Sequence, residues 1–291
     1  MSKITEYFDR IKEMIERGGP EPSEYDFVKN IPIVTGITLR QEADIYKIIS
    51  PILEVGSILG HTFQKPYGYA GDFELIDKIY TEWVSEDKRF QKWDKIYHNL
   101  ECAIAVRNRK KYFIYTLNKF NLKNPYSKVL NLGSGPCTDL AEYLIGQKAN
   151  NKLKFDCLDM DPKAIEYGST ACDNFSDKVS FIEKNVFRFR AEYEYDLVWS
   201  AGLFDYFSDK LFVRLLNRMY GLLSDNGEMV IGNFSTENPS RAMMEVFAQW
   251  YLHHRDKELL KDLAIRAGIS SSKITVRSEE LGVNLFLHIK K

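Results

Sequence analysis

The residues whose types and spacing could do chemistry begin where an apolar run ends. Lys128-Val129-Leu130-Asn131-Leu132 leads into Gly133-Ser134-Gly135-Pro136-Cys137. Two glycines around one serine let the chain turn sharply out of a strand and let a ligand come close to bare backbone. Taken alone, the pair is as well explained by a tight turn. A second apolar run, "LKFDCLDMD" (153–161), ends in Asp159, 26 residues after Gly133. A carboxylate there could accept hydrogen bonds from both hydroxyls of a ribose; an ordinary helix N-cap is the plainer alternative. A dinucleotide fingerprint asks for a third glycine, and Thr138 stands in its place.

Three further stretches could face a substrate. One is Phe204-Asp205-Tyr206, after a fourth apolar run. The second is "GNFSTENPSRAMMEVFAQWYLHHR" (232–255), with Asn233, Arg241, Trp250, His253, His254 and Arg255. Arg241, just past a strand, could clamp a carboxylate through two hydrogen bonds, or simply form a surface ion pair. The aromatics of 243–252 stand at helical spacing and read as core before they read as a ligand wall. The third stretch is "KPYGYAGD" (65–72), where Tyr67 and Tyr69 alternate with glycines. Turn chemistry accounts for its Pro and Gly. It does not account for the tyrosines, whose rings and hydroxyls could meet a ligand at the mouth of a site. Asp72 would cap the helix that follows. The basic run "RNRKK" (107–111) reads as a solvated helix face, with Arg107 the member that could turn inward.

The elements that must position these residues change rhythm along the chain. Residues 1–17, 40–60, 73–84 and 94–120 carry apolar residues at helical spacing, broken at "RGGPEPS" (17–23) and Pro51, and no strand is expected before Lys128. From there short apolar runs alternate with amphipathic segments: strands at 128–133, 153–161 and 179–185, a strand followed by a loop at 195–204, a strand at 227–234, and helices at 137–147, 162–174 and 210–223. Such alternation implies a parallel, doubly wound sheet. The end, 273–291, reads as two strands joined by a short polar turn, an antiparallel hairpin. We therefore expect an α/β chain with a helical N-terminal cap (1–122) and a nucleotide-type domain (123–291).

Composition narrows the function. The 291 residues carry a formal net charge of −1, which offers a polyanion nothing to bind. No nucleic-acid partner is expected. No apolar run approaches the roughly 20 residues of a membrane helix, and the charged first 17 residues do not read as a signal peptide. The four cysteines, Cys102, Cys137, Cys157 and Cys172, show no metal spacing. The expectation is a reduced, cytoplasmic protein without a metal site and without membrane contact, either a monomer or a homodimer.

In order along the chain, "VLNLGSGPCTDL", "LDMDPKAI", "VSFIEKN", "YDLVWSAGLFDY" and "LLSDNGEMVIGN" resemble the glycine-rich loop, the ribose-binding strand end, the third and fourth strands and the turn into the fifth strand of class I S-adenosylmethionine (SAM)-dependent methyltransferases. The resemblance covers about 126–291. It implies a Rossmann-like, seven-stranded, mostly parallel sheet that binds SAM and releases S-adenosylhomocysteine. It places Gly133 and Gly135 at the methionine part with Asn131 towards the ammonium, Asp159 at the ribose, Met160 and Asn185 at the adenine, Ser200 and Ala201 near the sulfonium, and counts Ser134 and Val186 among the cofactor-binding residues. Asn131 stands where an acidic residue is commoner, Asn185 where an aspartate is common, and Cys137 where the pattern often has glycine. "KPYGYAGDFELID", "SAGLFDYF" and the 232–255 stretch are similar to a bacterial family named for 3-hydroxy fatty acid (3-hydroxypalmitate) methyl ester biosynthesis. That likeness implies O-methylation of a 3-hydroxyacyl carboxylate, with Tyr67, Tyr69, Asp205, Tyr206 and Arg241 around the acceptor. N- or O-methylation of another small metabolite, or SAM binding without catalysis, stays open.

Overall fold

A computed structural model describes residues 3–34, 39–147 and 152–291. It divides into two compact units, Met1–Ile104 with Pro239–Tyr251, and Ala105–Asn238 with Leu252–Lys291. This partition differs from a boundary at 122/123. The long helix α7 (Glu101–Lys123) begins in the first unit and ends in the second, and the segment after the fifth strand returns to the first.

The first unit is helical: α1 (Lys3–Glu16), α2 (Tyr25–Val34), α3 (Leu39–Ile49), α4 (Ile58–Gln64), α5 (Phe73–Tyr80), α6 (Lys88–His98) and α11 (Arg241–Val246). Gly18 and Gly19, at φ +86 and +125, stop α1 as only glycine does cheaply. Pro51 sits in a 3₁₀ turn, Ser50–Ile52, after α3. Ile11, Met14, Val28, Ile45, Ile49, Leu75 and Ile79 are fully buried in this unit.

"KPYGYAGD" links α4 to α5, and the expected cap is present. Asp72 accepts from the Leu75 amide at 2.9 Å and also meets His61 Nε2 at 2.9 Å. His61 is fully buried, with its Nδ1 3.1 Å from Lys78 Nζ. An ammonium only donates, so Nδ1 must accept and the proton sits on Nε2, facing Asp72. Tyr67 donates to Glu74 at 2.8 Å, and its ring lies 4.6 Å from that of Phe73.

The second unit carries β1 (Lys128–Leu132), β2 (Lys154–Asp159), β3 (Val179–Glu183), β4 (Tyr195–Ala201), β5 (Leu223–Phe234), β6 (Ile274–Ser278) and β7 (Asn284–Lys290). Their order is β3-β2-β1-β4-β5-β7-β6, with β1 to β5 parallel and β7 antiparallel to both β5 and β6. This is the expected seven-stranded Rossmann-like sheet. On one face Val129, Phe155, Leu197, Trp199, Val230 and Phe286 pack with Phe113 and Leu117 of α7 and Leu140 of α8 (Thr138–Gly146). On the other, Leu130, Leu158, Val198, Met229 and Ile231 pack with α10 (Asp209–Tyr220) and α12 (Lys257–Arg266). Helix α9 (Pro162–Ala171) follows β2. Burial on both faces explains why β1, β2, β4 and the second half of β5 read as apolar runs. Helix α12 was not expected, and β5 begins at Leu223 rather than 227. Among the described residues no helix is long and apolar enough to cross a membrane, and no cluster of His, Cys, Asp or Glu could hold a metal ion.

Candidate cofactor site

The strand order reverses between β1 and β4, and open α/β sheets bind ligands outside the carboxyl ends of the strands at such a point. Register sets those ends level: Leu132 beside Leu158, Asp159 beside Glu183, and Ala201 beside Gly232. The chain turns out of β1 through Gly133 (φ +62) and Gly135 (φ +56), and the Gly133 amide donates to Leu158 O at 2.8 Å. A Cβ placed on Gly135 would meet nothing within 4 Å, so open space lies over that backbone. Cys137, the N-cap of α8, is itself at φ +53. This position tolerates a side chain only at a conformational cost, which is why glycine is common there.

Asp159 closes the loop from the next strand. Its carboxylate accepts from the Gly135 amide at 3.0 Å and the Asp161 amide at 3.1 Å. Burial raises its pKa, and the Gly135, Asp161 and Met160 amides oppose that shift. The N-cap of α9 is Asp161, not Asp159, so the plainer alternative for Asp159 falls. Each carboxylate oxygen keeps acceptor capacity beyond one amide. Among the described residues Ser134 Oγ is buried without a partner, and Met160 is 68% exposed beside Asp159. Ser200 Oγ donates to Leu132 O at 3.0 Å, tying β4 to the end of β1. Asn131 is buried. Asn185 Oδ1 accepts from the Phe187 amide at 2.9 Å, and Val186 packs into the apolar core.

Residues 123–268, half of the chain, match a family model described as a methyltransferase domain. The chain belongs to this methyltransferase family. A malonyl-[acyl-carrier protein] O-methyltransferase of Ilyobacter polytropus is 31% identical over 86 residues, 29% of this chain and 30% of that enzyme, so the likeness spans under a third of the relative. Two solved structures share the fold. A "possible exported protein" of Bordetella parapertussis is 14% identical with a TM-score of 0.64, over 99% of this chain and 95% of that one. An O-methyltransferase family protein of Burkholderia thailandensis is 15% identical with a TM-score of 0.51, over 65% and 59%.

The cofactor of this methyltransferase domain is SAM, and the residues fit it. Open space over the Gly135 backbone, a Ser134 hydroxyl without a partner among the described residues and a part-buried Asp159 with spare lone pairs match a ligand that brings hydroxyls and a charged amino-acid end.

Beyond β4 the turn carries a cluster that the sequence disclosed only in part. Asp205 Oδ1 accepts from the Phe234 amide at 2.7 Å, while its buried Oδ2 has no partner among the described residues. Burial pushes this carboxyl up to about 6, against the Phe234 amide and the charges of Arg109 and Arg255. Asp139, in the first turn of α8, is pushed up to about 6 by burial in the same way. An acid raised in the folded state weakens folding as pH climbs from about 4 towards 6, so both sites cost stability at neutral pH. Arg109 is 4% exposed, and a Cβ on Gly202 would stand 2.7 Å from its Nη1. It is thus Arg109, not Arg107, that is the buried arginine of "RNRKK". Helical spacing gave the signal: Ala105 and Phe113 lie four residues either side of Arg109, and both are fully buried.

Arg255 and Asn233 are buried and bonded to each other at 2.8 Å. Trp250 is core, as its spacing suggested, and Tyr206 is 36% exposed. In the helical unit Arg241 pairs with Glu245 at 2.7 Å, and Tyr67 and Tyr69 are 36% and 38% exposed.

All four cysteines are buried and free. Burial pushes the Cys102 and Cys172 thiols up to about 12, and the Cys137 thiol is raised by the hydrogen bond it donates to Cys157 and by burial. A thiol must ionise to attack. The native protein at pH 7.5 is therefore expected to release almost no thionitrobenzoate from Ellman's reagent, and four equivalents in guanidinium chloride. A fast equivalent from the native state would contradict this.

Proposed function

We propose that the protein transfers the methyl group of SAM to an oxygen of a small acceptor, a carboxylate such as that of a 3-hydroxy fatty acid. The observation that most supports an acceptor bearing a hydroxyl is Asp205 Oδ2, buried in the turn after β4 without a donor among the described residues. A hydroxyl next to the reacting carboxylate can donate to that atom, which fixes the acceptor without any proton leaving it. When bound, SAM supplies a methyl carried on a sulfonium, and its transfer leaves a neutral thioether. The chain then needs to orient and to exclude water rather than to act as a base. Asp205 orients the acceptor and Tyr206 flanks it. The Ilyobacter relative, an O-methyltransferase of an acyl carrier substrate by name, favours oxygen and an acyl group.

The test is transfer from methyl-labelled SAM to a panel of 3-hydroxy fatty acids, unsubstituted fatty acids and amines. Label on the 3-hydroxy acids that leaves as methanol in mild base is the expected result. Base-stable label on amines, with none on any acid, would overturn the reading. Binding of SAM without transfer to any member of a broad panel would favour a regulatory role.

A further inference from the structure

The methionine end of SAM carries an ammonium and a carboxylate. At the end of β1, where a fixed negative charge would suit the ammonium, this chain has Asn131, whose amide carries none. Asn131 pairs in register with Cys157 of β2 and Trp199 of β4, so the three share a sheet face. Trp199 and Cys157 pack there with α7 and α8. The same two helices deliver two buried charges. Helix α7 delivers Arg109, whose guanidinium lies on the Gly202 turn. The first turn of α8 delivers Asp139, only 9% exposed and two residues past the glycine loop. Its charge reaches Cys157, the register partner of Asn131. The ammonium and carboxylate of an α-amino acid complement a carboxylate and a guanidinium.

We propose that Asp139 and Arg109 together hold the amino-acid end of SAM, Asp139 taking the ammonium that an acidic residue at 131 would take and Arg109 the carboxylate. The inference rests on SAM as the cofactor, and its test separates the two ideas. S-adenosylhomocysteine carries both charged groups; 5′-methylthioadenosine keeps the adenosine and thioether but lacks both. For Asp139→Asn in the full chain, calorimetry should show S-adenosylhomocysteine binding weakened about tenfold or more, the usual loss for a charge-assisted hydrogen bond, and 5′-methylthioadenosine binding unchanged. Unchanged affinity for both, or an equal loss for both, overturns the proposal. Binding of neither by the unaltered chain would instead overturn the cofactor reading.

Should Asp139→Asn fail to fold, the unaltered protein carries the test. The groups whose charges act on Asp139 are Arg109 and Lys110 of α7, and it in turn acts on Cys137, Cys157 and Cys172. Protonating Asp139 removes the partner of the ammonium. S-adenosylhomocysteine affinity should fall as pH drops through about 6, and 5′-methylthioadenosine affinity should fall less. Parallel curves, or flat ones, overturn the assignment.

Discussion

Arg255→Ala is expected to remove about 3–5 kcal/mol of stability, the usual cost of leaving a buried ionic and hydrogen-bonded group without its partner. The side chain is 1% exposed and holds five groups at once. Nη1 donates to Asn233 Oδ1 at 2.8 Å, Phe204 O at 3.3 Å and His253 O at 3.4 Å; Nη2 donates to Phe207 O at 2.6 Å; Nε and Nη2 reach Asp209 Oδ1 at 3.0 and 2.9 Å. Those partners come from the turn after β4, the start of α10, the end of β5 and the segment before α12. Alanine would strand carbonyls and the fully buried Asn233 in a site water cannot easily reach. It would also remove a positive charge that lowers the Asp205 pKa. Arg255→Lys should rescue little, because an ammonium cannot span that fan of acceptors. Guanidinium chloride unfolding of the variants measures this, and a loss under 1 kcal/mol would show the network to be dispensable. Since whole domains are stable by only about 5–15 kcal/mol, the effect should be among the largest of any single substitution here.

That same arginine shows where sequence reading stops. "YLHHR" placed Arg255 beside two histidines as a substrate candidate; nothing in the spacing told that its partners were main-chain carbonyls from 204 and 207. Strands β1, β2 and β4 were legible because burial on both faces writes them as apolar runs that end in Gly, Asp or Ala. The start of β5 was not, because Ser224-Asp225-Asn226 looks like a turn, and Asn226 does adopt φ +66 where the pairing of β4 shifts register. Helix α12 was hidden by charge: Leu260, Leu263 and Ala264 reach the core from a segment of Lys, Glu, Asp and Arg. The glycine loop and Asp159 were legible because a close backbone approach and a ribose diol each demand particular residue types at particular strand ends. Asp139 and Arg109 were missed for the opposite reason. A buried charge on a helix looks, in one dimension, like any solvated one, and only the apolar neighbours three and four residues away betray it.

Asp159→Ala should weaken SAM binding by about 1–3 kcal/mol, or some 5- to 150-fold, through lost charge-assisted hydrogen bonds. The carboxylate has two tasks that this change removes together. It fixes the glycine loop through the Gly135 amide, and it offers its remaining lone pairs to the ribose. Asp159→Asn separates them. An amide oxygen can still accept from Gly135, while the NH₂ that replaces the second oxygen can only donate, opposite the Asp161 amide. The loop should then survive better than the ribose contact. Adenosine analogues report the difference. Against Asp159→Asn, SAM and 2′-deoxy-SAM should bind with nearly equal, lowered affinity, whereas the unaltered protein should prefer SAM. If Asp159→Asn keeps the full preference for the ribose diol, the diol is read elsewhere and Asp159 serves the loop alone. If even Asp159→Ala binds SAM at full strength, the part-buried carboxylate has no part in the site. The desolvation that raises its pKa would then be a stability cost with no ligand to offset it, which a part-buried carboxylate beside an open glycine loop argues against.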